Sequence, residues 1–147
     1  MYIDKLSRQA WLPLGAALIF AISAFGSYSS IATAADIKVT LAGDQEVPPV
    51  KTAGAGTGTI TIGADKSVSG SITTTGIAGT AAHIHEAAAG ANGPVIIPLT
   101  KTGDTYAVPA GAKLTDAQFA SFQAGKLYVN AHTAANPGGE IRGQLKP

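Results

Sequence analysis

From Ile37 onward the chain alternates apolar and polar residues in short runs, each closed by Gly, Pro or Asp. Successive side chains of a strand point to opposite faces, so a period of two marks strands with one buried and one solvated face. Ile37-Lys38-Val39-Thr40-Leu41 predicts a first strand, and Thr57 to Ile62 a second with Ile60 and Ile62 inward. Ala64-Asp65-Lys66 is a turn, and Val68 to Thr74 returns as the hairpin partner; both outer faces are rich in Thr and Ser. A strand through His83 and His85 follows, then the apolar Pro94 to Leu99 and an edge segment from Thr102 to Val108. Leu127 to Thr133 and Glu140 to Leu145 close the chain as two more strands, the second alternating only if Gly143 counts as inward. Such a glycine marks a bulge or a close backbone approach.

One helix interrupts this pattern. Thr115 is placed as its N-cap, Gln118 completes a capping box, Phe119 and Phe122 share a face, and Gly125 stops it. Its expected place is one end of the sheet structure. Many short strands and one helix predict an all-β fold, an antiparallel Greek-key sandwich or flattened barrel with one short helix.

The same alternation organises the candidate chemistry. Ala82-His83-Ile84-His85-Glu86 puts two imidazoles on one face of a strand, with Ile84 on the other. The third and last histidine, His132, lies in Tyr128-Val129-Asn130-Ala131-His132-Thr133. If Ile84, Val129 and Ala131 face the core, His83, His85 and His132 all face outward on one side of the sheet. Three imidazoles converging from two strands suit copper or zinc, with copper favoured because affinity peaks there. The competing reading is three ordinary surface histidines on a Thr-rich sheet. Glu86 points away from the trio, while Glu140 is placed either as an acceptor orienting an imidazole N–H or as an ordinary loop carboxylate. Arg142 and Glu140 are expected to pair across strands, and Asn130 to bond a neighbouring loop. Glu46-Val47-Pro48-Pro49 reads as a conformationally fixed loop.

Composition narrows the classes further. Lys5 and Arg8, the apolar run from Trp11 to Phe25 and Ala32-Thr33-Ala34 together have the build of a secretory signal peptide over residues 1–34. An uncleaved anchor is the alternative. The domain is then 35–147, and the expected location is secreted or periplasmic. Without Lys5, Arg8 and Asp4, basic and acidic residues number eight each, so no basic stripe exists to hold phosphates and nucleic acid is set aside. The chain has no cysteine, which removes thiolate ligands and disulfides, and its one methionine is Met1. No Gly-x-Ser-x-Gly elbow and no paired carboxylates support hydrolytic chemistry.

Gly43-Asp44-Gln45-Glu46-Val47-Pro48-Pro49-Val50, Ala82 to His85, Gly125 to Thr133 and Gly138 to Leu145 together resemble the CHRD domain, the module named from chordin. The likeness runs from about Ile37 to Leu145 and implies an exported binding module. A second resemblance concerns the histidines alone: the two histidine strands and Gly139-Glu140-Ile141-Arg142-Gly143 resemble segments of Cu/Zn superoxide dismutases. That likeness implies copper ligation by His83, His85 and His132, with Arg142 an anion-facing cation. The bridging histidine, zinc loop and disulfide of those enzymes are missing. The expected function is therefore a CHRD-type binding module with a three-histidine copper or zinc site. The alternatives are a copper-dependent redox enzyme of dismutase type and a structural or adhesive domain without metal. The expected partners are a metal ion and an extracellular protein or polymer.

Overall fold

A computed structural model describes residues 34–147; the expected signal segment lies almost wholly outside them. Among the described residues no helix is long and apolar enough to cross a membrane. Strand β1 (Ala35–Ala42) turns Ile37, Val39 and Leu41 inward and leaves Asp36, Lys38 and Thr40 exposed. It pairs antiparallel with β2 (Ala55–Ile62) over its whole length, from Ala35↔Ile62 to Ala42↔Ala55. The turn into β3 (Val68–Thr75) puts Lys66 at φ 67, and the Asp65 carboxylate accepts from the Ser67 N–H and hydroxyl. An Asx-type bond of this kind fixes a tight turn locally.

Beyond β3 the chain crosses to β4 (Gly79–Glu86), then runs through β5 (Val95–Pro98), β6 (Thr100–Thr102) and β7 (Thr105–Ala107). The expected edge segment Thr102 to Val108 holds β7, the second strand of a hairpin with β6 that bends at Gly103 with φ 61. Helix α1 (Asp116–Gln123) is capped as expected: Thr115 Oγ1 accepts from the Gln118 N–H, and Gln118 Oε1 accepts from the Thr115 N–H. It ends in a Schellman motif, with Gly125 at φ 69 donating to Phe122 O and Lys126 donating to Ser121 O. Phe122 is buried in the core and Phe119 packs at its margin.

β8 (Leu127–Thr133) and β9 (Ile141–Leu145) complete one antiparallel sheet in the order β5-β4-β8-β9-β1-β2-β3-β7-β6. Its two edges are consecutive in sequence. β5 pairs with β4, β6 pairs with β7, and between them the Leu99 N–H donates to Ala82 O at 3.0 Å. One bent stretch, Val95 to Thr102, thereby bridges both edges and nearly closes the sheet into a barrel, which leaves little free edge. Of the expected architectures, the flattened barrel is the one present.

The interior is filled from every wall by Leu41, Ile60, Ile72, Ile84, Val129 and Leu145, each at most 1 % exposed, among other apolar residues. Burying each side chain of this kind is worth about 1.5–3 kcal/mol. β9 joins β1 at a single register pair, Ala42↔Arg142. Gly143 makes that seam possible: a Cβ there would stand 2.5 Å from Thr40 O and from Val39 Cγ2. The inward glycine is a close backbone approach, as its break in the alternation implies.

Candidate metal centre

β4 and β8 pair in register Ile84↔Val129, Ala82↔Ala131, His83↔Asn130 and His85↔Tyr128. Ala82, Ile84, Val129 and Ala131 are all at most 1 % exposed and point inward, so His83, His85 and His132 point out of the barrel together. Their ring centroids lie 4.8 Å (His83–His132), 5.6 Å (His83–His85) and 6.1 Å (His85–His132) apart. One ring nitrogen from each falls within 4.8 Å of the others. The expected convergence is present.

The trio faces out of the barrel as expected but is largely covered. His85 is 7 % and His132 9 % exposed, while His83 is half-buried. Three connections fold back over this face: residues 43–54, 87–94 and 134–140. They are laced to it by hydrogen bonds. Asn130 Nδ2 donates to Glu46 Oε1 (3.4 Å), His85 Nδ1 bonds Gly93 O (2.9 Å) and His132 Nδ1 bonds Pro137 O (3.0 Å). Two clefts of about 380 and 250 Å³ open between these connections, and neither is lined by a histidine.

The carbonyls decide which nitrogens are available. A carbonyl only accepts, so Nδ1 of His85 and Nδ1 of His132 carry protons, which leaves Nε2 of each as a lone-pair donor in the neutral ring. Nε2 of His85 is buried with no hydrogen-bond partner. Nε2 of His132 lies 2.9 Å from Nδ1 of His83. With His132 Nε2 the acceptor, the His83 Nδ1–H is the donor, and a metal taking Nδ1 of His83 requires that proton to move to Nε2. A histidine held by a backbone carbonyl through its far nitrogen is the usual second layer around a metal-bound imidazole.

Burial, then the neighbouring imidazoles of His132 and His85, hold His83 below the ordinary imidazole value. Burial likewise pulls His132 down; the Pro137 carbonyl opposes this and His85 adds to it. Both rings are thus kept neutral near pH 7, the form that binds metal. Three converging imidazole nitrogens, one of them a buried Nε2 without a partner, fit a metal cation.

Other expected roles are redistributed. Glu86 lies outside the trio as expected and accepts from Ser121 Oγ of α1. Glu140 neither pairs with Arg142 nor orients an imidazole. It precedes β9 and accepts from Thr52, Thr133 and Asn136, bonds that hold its carboxyl below the ordinary value. Arg142 lines the larger of the two clefts, away from the histidines. It is 1 % exposed and its guanidinium donates to Ala91 O (2.8 Å), Ala88 O (3.0 Å) and Gln144 Oε1 (3.2 Å). Asn130 does bond a loop, and its partner Glu46 was legible only as part of a fixed turn. Glu46 is 4 % exposed, and burial raises its pKa against the opposing pull of Asn130 and Arg142.

Residues 37–145 match the family model of the CHRD domain. No curated protein and no solved structure matches the chain.

Proposed function

The chain belongs to the CHRD-domain family, and from that premise we propose that it is an exported metal-binding module whose His83, His85 and His132 hold one ion, copper before zinc. The observation that carries this reading is the assembled trio with its buried, unpartnered His85 Nε2. Copper comes first because all three donors are imidazole nitrogens, for which divalent affinity peaks at copper. The ligand set is Nε2 of His85, Nε2 of His132 and Nδ1 of His83. Binding, rather than turnover, is the role: the one arginine of the mature chain is committed to backbone carbonyls and the Gln144 amide and does not stand open beside the histidines. Residues 1–34 direct export, so the ion is taken up outside the cytoplasm.

Equilibrium dialysis of the purified protein against Cu(II) and Zn(II) tests this. About one equivalent is expected, falling to background in His83→Ala and in His132→Ala. Absence of binding at micromolar metal leaves a structural or adhesive domain in its place. Protons compete for the same lone pairs, so affinity falls as pH drops through the depressed values of His83 and His132, below the ordinary 6.5. The same shifts fix the sign for folding. The unfolded chain takes up protons first, so stability is full above 6.5 and declines as the pH is lowered toward the folded values. A pH-independent affinity for metal excludes an imidazole site.

A further inference from the structure

Arg142 is the largest fully buried side chain among the described residues, and it forms no ion pair there. A buried guanidinium is costly unless every donor is used, and its planar fork spans two acceptors in a way no lysine reproduces. Here the fork closes on Ala88 O and Ala91 O, both in the 87–94 connection. The same connection carries Gly93, which bonds two members of the site. Its carbonyl takes the His85 Nδ1–H at 2.9 Å, and its N–H donates to the Tyr128 hydroxyl at 3.3 Å. A Cβ at 93 would stand 1.9 Å from Glu86 O, so this approach admits only glycine.

Arg142 also acts through Tyr128. Its guanidinium carbon lies 3.4 Å from the centroid of that ring. Tyr128 in turn stacks on the His85 imidazole, centroids 4.7 Å apart and planes 7° from parallel. Because β4 and β9 flank β8 on opposite sides, the phenol ring lies between guanidinium and imidazole.

We propose that Arg142 is a positioning residue of the metal centre: through Tyr128 and the 87–94 connection it fixes the plane and tautomer of His85, aiming Nε2 at the other two imidazoles. This rests on the reading of the trio as a metal site. Partners that orient a ligating imidazole typically contribute 10–100-fold in metal affinity.

The test uses the full chain and Zn(II), with Arg142→Met, Arg142→Lys and Tyr128→Leu compared well below their melting temperatures. Arg142→Met is expected to weaken Zn(II) binding about 10–100-fold and to abolish the slowly exchanging His85 Nδ1–H signal in proton NMR. Arg142→Lys restores charge without the fork and is expected to recover little of either. Tyr128→Leu keeps the Arg142–carbonyl bonds but removes the stack and the phenol oxygen. It is expected to weaken binding in the same sense, and it serves if Arg142→Met does not fold. Folded variants that bind Zn(II) as tightly as the unsubstituted chain and retain the His85 signal overturn the positioning role alone. An unsubstituted chain that binds neither Zn(II) nor Cu(II) overturns the metal reading and this proposal with it.

Discussion

The two walls of the barrel follow the same alternation and end in opposite states. On the β2–β3 wall the outward Thr57, Thr59, Ser69 and Thr73 are exposed, bonding at most a neighbour on the same surface, as Thr73 does Thr105 at 3.1 Å. On the β4–β8–β9 wall the outward His85, Tyr128, Asn130, His132 and Arg142 are all buried. What differs is the covering. Short hydroxyls are satisfied by water and need no roof. Imidazole, amide and guanidinium N–H groups donate here to the carbonyls and carboxylate of three folded-back connections, while Nε2 of His85 and Oδ1 of Asn130 are left without a partner.

The most damaging expected change sits where the walls meet. Gly143→Val places a branched side chain where a Cβ already comes within 2.5 Å of Thr40 O, against the seam that one register pair holds. Overpacking there is expected to cost about 3 kcal/mol or more in chemical denaturation. Gly138→Ala is the control, since nothing lies within 4 Å of its built Cβ. Equal stability of the two variants would mean that the walls do not abut at this point.

The period of two placed most strands, the capping box placed the helix, and the shared face of His83, His85 and His132 followed from alternation alone. The roof did not follow. Its connections have no periodicity, and whether they fold back over a face is set by contacts far away in sequence, such as Asn92 Nδ2 to Val47 O at 2.7 Å. Hence Arg142, polar and outward by pattern, read as a cross-strand partner of Glu140, while it is almost wholly buried under the 87–94 connection. Its expected pairing with Glu140 failed for a local reason: Glu140 lies outside β9, where Thr52, Thr133 and Asn136 are nearer donors. The β6–β7 hairpin did have a signal, Gly103-Asp104, a pair suited to a tight turn with positive φ.

One substitution made on both walls sharpens the contrast. Thr133 is 6 % exposed; its hydroxyl donates to Glu140 Oε2 at 2.5 Å and accepts from the Asn136 N–H at 3.1 Å. It thereby ties down the connection that offers Pro137 O to His132. Thr133→Val keeps the shape and deletes both bonds, leaving an amide and a carboxylate short of a partner. The expected cost is about 1–2 kcal/mol, measured by denaturation. Metal affinity is expected to fall with it, because the carbonyl that orients His132 loses its anchor.

Thr59→Val is the smallest of these effects and the most exacting check on the bare wall. Thr59 is exposed on β2, between Lys38 of β1 and Ser71 of β3 in the register, and its hydroxyl makes no hydrogen bond among the described residues. Valine is β-branched like threonine, so the strand loses no propensity and the water-facing hydroxyl gives up nothing intramolecular. The expected change is within about 0.5 kcal/mol in either direction. A cost above about 1 kcal/mol would have to come from a partner that the hydroxyl serves. Such a result would make this wall a covered surface too, and the presence of a roof would no longer distinguish the histidine side.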